Sequence, residues 1–339
     1  MALFSRKPKG PFIRTGYIDM HWDVEDPFLF VSHHEDDYPA GNRQQAPPLK
    51  EISGRDLGRD YQKFFGFRMY NGKVVPGFPM HAHWGYETIT LAQVGYVDHF
   101  DTEGIQGRFG FGDYQWVCAP SKYQHNEMYP LANQEDRNPN DITQIFLNLP
   151  MSMKGGENAV NTVFKEEAAF VESEGSRVLV MCGKYGGHDV RSPSPVSWSH
   201  GDNHVRILRV EMAPGARFVL DPTSAEAKRN LYYVSGGGLT ICDREFEQGA
   251  RATMVPTEEV VVVNGDSDSV LWVLEGKPIG EKVVAFGPVF LDNLDDVRAA
   301  LDEIRKDLYS EWPWDVIDKA QPLGTGRFIE YPDGIVRKP

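Results

Sequence analysis

The stretch PGFPMHAHWGYETIT, residues 76–90, sets two histidines, His81 and His83, one residue apart in an aromatic-rich segment that opens on Pro and Gly. Tyr, Thr and Ile follow them closely, and residues of that kind favour extended chain. On a strand successive side chains face opposite ways, so His81 and His83 share a face with Cα atoms roughly 6.5–7 Å apart. Two imidazoles at that separation can converge on one ion. Glu87 has the same parity. Read alone, a His-x-His pair is weak, because such pairs also fall on solvated sheet faces by chance.

A second stretch, GDYQWVCAPSKYQHNEMYP at residues 112–130, supplies the other half. It contains His125-Asn126-Glu127, another same-face pair on a strand. Three imidazoles and a carboxylate suit Fe(II), Mn, Ni, Co, Cu or Zn and leave coordination positions for water, substrate or dioxygen. A closed structural zinc site more usually contains cysteines. Cys118 lies in the same strand region, with parity opposite to that of His125.

Outward from these stretches the chain repeats one pattern. Short apolar or alternating runs such as ITQIFLNLP, RVLVMCG, HVRILRVEM and SVLWVLEG are separated by Gly- and Pro-containing turns. Runs of that length between turn residues read as strands, and many of them imply a sandwich or barrel. They fall into two parts, about 65–150 and 176–290, which share a strand–turn rhythm and suggest two barrels of one fold in tandem. The domains expected are 1–150, carrying the metal site; a connector at 151–175; a second, metal-free barrel with a helix at 176–310; and a C-terminal extension at 311–339. The helix is expected in DNLDDVRAALDEIRKDLYS, where Leu294, Val297, Leu301, Ile304 and Leu308 recur every three or four residues. Asn293 is placed as its N-cap, with Asp296 three residues on.

Composition narrows the function. The 339 residues are 41% hydrophobic and 25% charged, ordinary values for a globular chain long enough for two cores. No apolar run nears the roughly 20 residues of a membrane helix, and MALFSRKPKGPF has no apolar segment behind its basic residues, so no secretory signal is expected. Cys118, Cys182 and Cys242 are widely spaced and odd in number, which predicts reduced thiols and a cytoplasmic protein. A net charge of −14 repels phosphate backbones, so neither nucleic acid nor membrane is an expected partner.

The motifs resemble the cupin signature, and within it the pirin family. Pirins carry segments like HPHRGFET, GDVQWMTAG, HSEMP and QLWLNLP; this chain has HAHWGYET, GDYQWVCAP, HNEMYP and QIFLNLP. The resemblance spans roughly residues 15–310. It implies a mainly β bicupin, two tandem double-stranded β-helix barrels of jelly-roll type with a C-terminal helix. It also implies one metal, iron by preference, on His81, His83, His125 and Glu127, with Glu87 beside the ligands. The second half has no His-x-His; His200 and His204 flank a Gly-Asp turn and suit no strand site. Two departures lie near the expected pocket mouth: Trp84 stands where pirins usually have Arg, and Pro120-Ser121-Lys122 replaces Gly-Arg-Gly. The extension beyond residue 310 carries aromatic residues expected to pack over the body or a neighbouring subunit.

Some pirin-like proteins are flavonol dioxygenases of the quercetinase type. By that resemblance the substrate is a small aromatic molecule, the co-substrate is O2, and Glu127 is the catalytic base. Trp84, Tyr86, Trp116 and Phe78 are candidates to line a slot for a flat ring system, or to be core. Other pirins resemble iron-dependent redox-sensing co-regulators that act through a protein partner, and this alternative stands beside the first.

Overall fold

A computed structural model describes residues 10–19, 21–194, 196–306 and 309–339. The chain divides into two compact units. One comprises the described residues up to Val31 with Ala168–Ser192 and Ser197–Gly280; the other comprises Ser32–Glu167, Pro193–Val196 and Glu281–Pro339. This division differs from one drawn in chain order. The first strand, Phe12–Tyr17, groups with the later barrel because it pairs antiparallel with Ala250–Met254. The helix and the C-terminal extension group with the earlier barrel, where their apolar and hydrogen-bonding partners lie.

The later unit is a two-sheet barrel. Its larger sheet runs in the order Phe12–Tyr17, Ala250–Met254, Lys228–Ser235, Ser269–Gly276, Arg206–Met212, Ser176–Tyr185, Ala169–Ser173, and the smaller holds Arg217–Leu220, Val260–Asn264, Leu239–Ile241 and Arg244–Phe246. Alternate residues of both sheets, among them Val178, Val180, Leu208, Val210, Phe218, Val260 and Val262, bury one apolar core. That is the period-two pattern of half-buried strands. Among the described residues, this unit brings no three His, Cys, Asp or Glu side chains within reach of one ion.

The earlier unit is also a two-sheet barrel. One sheet orders Ala159–Val163, Asp113–Ala119, Tyr86–Val94, Asn138–Asn148 and Phe28–Tyr38; the other orders Val336–Arg337, Phe328–Glu330, Gln106–Gly110, Tyr96–Asp101, Tyr123–Met128 and Gly77–His83. The strand Gly77–His83 is the edge of its sheet, beside Tyr123–Met128.

The helix runs Leu294–Lys306. Asn293 caps it, its Oδ1 accepting the Asp296 N–H at 2.9 Å. Val297, Ala300 and Ile304 are buried against Ala82, Val289 and Leu291, with Trp84 and Leu301 alongside. Leu294 does not join that stripe; it is exposed in the first turn. Leu308 lies outside the described residues. No helix among the described residues is long and apolar enough to cross a membrane.

Candidate metal centre

The centre is built on two neighbouring strands, and a bulge sets their register. Phe78 pairs with Glu127, and His81 pairs with His125, so three steps on one strand match two on the other. Plain alternation from Phe78 would turn His81 to the opposite face. The extra residue puts Phe78, His81 and His83 on the face shared by His125 and Glu127. Gly77 permits the approach: its φ is +122°, and a Cβ there would sit 2.4 Å from the Glu127 carbonyl oxygen.

His81, His83 and His125 bring one ring nitrogen each to within 4.8 Å of one another. His83 Nε2 and His125 Nε2 are 2.8 Å apart. Glu127 Oε2 stands 3.8 Å from His81 Nε2 and 3.7 Å from His125 Nε2. The carboxylate is steadied by neutral donors: Thr90 Oγ1 at 3.2 Å and Gln144 Nε2 at 3.0 Å. His83, His125 and Glu127 are buried, whereas the His81 side chain is 31% exposed and marks the open side of the site.

The outer ring nitrogens decide what the inner ones offer. His81 Nδ1 lies 3.0 Å from the Pro79 carbonyl, which can only accept, so Nδ1 carries the proton and Nε2 keeps its lone pair. Fully buried Asp101 accepts from His99 Nε2 at 3.0 Å. His99 Nδ1 is then the acceptor for His125 Nδ1–H at 3.4 Å, and His125 Nε2 is likewise free. Tyr123 donates to the same Asp101 oxygen at 2.9 Å. His83 Nδ1 bonds the Tyr86 hydroxyl, which can accept in the same way. Burial lowers the pKa of His81 and pushes those of His83 and His125 well below the ordinary histidine value. Neutral rings with their outer nitrogens engaged leave lone pairs converging in a buried space, and a cation relieves that crowding of negative potential. The donor set therefore fits a divalent transition metal.

The remaining predicted residues fall elsewhere. Glu87 is fully buried and pairs across the sheet with Cys118, while Tyr86 pairs with Ala119. Glu87 thus faces away from Tyr86 and Thr90, the residues that touch His83 and Glu127. The parity linking Glu87 to the histidines fails at Trp84-Gly85, where the chain turns between two strands with Gly85 at φ +94°. Burial, with the Glu87 carboxylate beside it, raises the Cys118 thiol pKa. Trp116 pairs with Ile89 on that same far face and is buried in the sheet. Trp84 packs into the cluster of Val289 and Val297, its N–H bonded to the Pro288 carbonyl at 3.0 Å. Tyr86 is closed in by Phe146 and Phe290, ring centroids 4.7 Å away in each case. Of the four aromatic candidates, Phe78 stands on the open side, 6.1 Å from the His81 ring.

His99, Asp101, Thr90 and Gln144 were not anticipated. His99 and Asp101 carry a signal in the sequence, because His99-x-Asp101 in GYVDHFD is a same-face pair like His81 with His83 and His125 with Glu127; Thr90 and Gln144 carry none. A second cluster, His33, Glu35 and Asp141, also comes together. There His33 Nε2 lies 2.8 Å from Asp141 Oδ1, an ordinary partly exposed pair that accounts for the arrangement.

Comparison with known proteins places these features. The Pirin family model matches residues 15–147, and the model of the Pirin C-terminal cupin domain matches residues 207–309. Human Pirin is 26% identical over 275 residues, covering 78% of this chain and 90% of its own length. A Pseudomonas aeruginosa protein provisionally named quercetin 2,3-dioxygenase is 25% identical over 231 residues, covering 67% of this chain and 77% of its own. Among solved structures, quercetin 2,3-dioxygenase from Acinetobacter baumannii superposes with a TM-score of 0.69 at 16% identity, covering 88% of this chain and 98% of that one. That likeness is one of fold: two cupin domains.

Proposed function

This chain belongs to the pirin family, and we propose that it is a metal-dependent dioxygenase of the quercetinase type, opening a flavonol-like substrate with O2. The observation that carries the reading is the convergence of three imidazole nitrogens beside the Glu127 carboxylate, with His81 open on one side. The provisional name of the Pseudomonas aeruginosa relative supports the substrate class. His81, His83, His125 and Glu127 would hold the metal, Fe(II) in our reading, although the donors also suit Zn, Ni, Mn, Co or Cu. When bound, the metal would supply Lewis acidity to the substrate's 3-hydroxyl oxygen and a meeting point with dioxygen.

The chain's own residues do the rest. Glu127 takes the hydroxyl proton on its carboxylate, which Thr90 and Gln144 hold in place. Phe78 offers a flat apolar neighbour to an aromatic substrate entering past His81. With its hydroxyl deprotonated, the electron-rich ring reacts with O2, opens, and releases carbon monoxide. The three widely spaced thiols and the acidic charge support a cytoplasmic protein without a nucleic-acid partner.

One observation favours the second reading, a redox-sensing co-regulator acting through a protein partner. Of the aromatic residues expected to line a slot, Trp84 packs with Ala82, Val289 and Val297, and Tyr86 is closed in by Phe146 and Phe290, so neither is free to receive a flat substrate. The test is anaerobic loading with Fe(II), then quercetin in air, following loss of flavonol absorbance and release of carbon monoxide. Turnover that falls about 10²-fold or more in Glu127→Gln supports the dioxygenase with its carboxylate base. Absence of turnover with Fe, Mn, Ni, Co and Cu in a protein holding one metal overturns the flavonol reading and leaves the sensor or a different substrate.

A further inference from the structure

The C-terminal extension grips the two strands that carry the three histidines and Glu127, and the strand of His99 and Asp101, at or next to those residues. Met80 sits in the bulge that sets His81, and its N–H, turned out of the sheet edge, donates to the Ile317 carbonyl at 2.8 Å. Asn126 lies between His125 and Glu127 and is fully buried. Its Nδ2 donates to the Lys319 carbonyl at 2.9 Å and approaches that of Ile317 at 3.4 Å, while its Oδ1 accepts the Phe100 N–H at 3.0 Å. Trp314 Nε1–H donates to the backbone carbonyl of Asp101, the residue that fixes His99 and through it His125, at 2.8 Å. The Trp314 ring stands edge-on to Phe100 with centroids 5.0 Å apart. Beyond this point the Gln321 N–H donates to Asp98 at 2.8 Å, and Phe328–Glu330 adds a strand beside Gln106–Gly110.

We infer that the segment 312–321 is a positioning clasp for the metal centre: Trp314 and the Ile317 and Lys319 carbonyls hold the bulged strand and its neighbour at the spacing the ligands require. This inference rests on the metal reading of the site. The physical reason is that a bulge at a sheet edge leaves an amide without a ladder partner. Whatever satisfies that amide also fixes how far the strand can slide or twist. Here the partner is the carbonyl of a segment more than 230 residues away in sequence, which is also tied to the backs of His125 and Asp101. Metal binding and clasp docking then favour one strand geometry, and by linkage each strengthens the other.

Trp314→Phe tests this in the full chain, because it removes one N–H donor and keeps a ring against Phe100. Asn126→Asp is the second variant: it keeps the acceptor for Phe100 N–H and removes the donors to the clasp. The probe is Ni(II), titrated against a competing chelator, with melting temperatures measured metal-free and loaded. The expected result is Ni(II) binding about tenfold weaker in each variant. The loss of melting temperature should be greater in the loaded protein than in the metal-free one, and Ni(II) should slow hydrogen exchange of the Met80 amide in the parent. A purely structural strap would lower both melting temperatures equally and leave affinity within about twofold; that result overturns the clasp and leaves the metal reading intact. Failure of the parent itself to bind Ni(II) overturns both.

Discussion

Asp101→Asn removes no bulk and tests the hydrogen-bond logic of the site directly. Asp101 is fully buried and accepts three hydrogen bonds: His99 Nε2–H at 3.0 Å and Tyr123 O–H at 2.9 Å on Oδ2, and Ile105 N–H at 2.8 Å on Oδ1. An amide has one acceptor oxygen and two N–H donors, so it cannot serve both sides. If its nitrogen faces His99, that ring must carry its proton on Nδ1. It then opposes the Nδ1–H of His125, 3.4 Å away, and drives the His125 proton onto Nε2, where the metal needs a lone pair. Support lost in this way weakens metal binding by about 10–100-fold, or about 1.4–2.8 kcal/mol. If instead the amide oxygen faces His99, its NH2 opposes the Ile105 N–H, and the folded chain loses about 1–3 kcal/mol. Ni(II) titration calorimetry reads the first outcome, and urea denaturation of the metal-free protein reads the second. A variant with affinity within about twofold of the parent and an unchanged denaturation midpoint would refute the tautomer chain from Asp101 through His99 to His125.

Arg108→Met should destabilise the chain by about 3–5 kcal/mol in urea denaturation, because it strands the fully buried Asp98 carboxylate that Arg108 holds at 2.6 and 2.8 Å; a loss below about 1 kcal/mol would contradict the pairing. The metal-free protein should also lose stability as pH falls from neutral. Burial holds His83 and His125 well below 6.5 in the folded chain, so below that value the unfolded chain takes up protons that the folded one does not. Their contribution is complete above pH 6.5 and declines on acidification at about 1.4 kcal/mol per pH unit for each histidine that titrates only when unfolded. Thermal melts across that range, with His125→Asn flattening the slope, check it; a parent slope no steeper than that of the variant would contradict it.

Much of the site was legible because strand alternation is a strong rule over short distances. His81 with His83, and His125 with Glu127, needed only period two and a turn-rich context, and the structure brings the three histidines together. Glu87 shows where the rule stops. Parity carries along a strand but not through the Trp84-Gly85 turn, so the same count that paired the histidines put Glu87 on the wrong face. The bulge at Pro79-Met80 was equally silent, since it depends on which residue of a distant strand lies opposite. The two-barrel fold followed from strand spacing. The grouping of Phe12–Tyr17 with Ala250–Met254, and of residues 312–321 with the ligand strands, rests on long-range pairing that periodicity does not encode. Helix periodicity was clear, yet Leu294 is exposed and the packed stripe begins at Val297.

The central claim is that one metal sits on His81, His83, His125 and Glu127. The most direct measurement is metal content by mass spectrometry after loading and desalting, for the parent and for His81→Ala/His83→Ala, with folding of both checked by circular dichroism. The account predicts one metal per chain in the parent and essentially none in the folded double variant. A double variant that retains stoichiometric metal would contradict it.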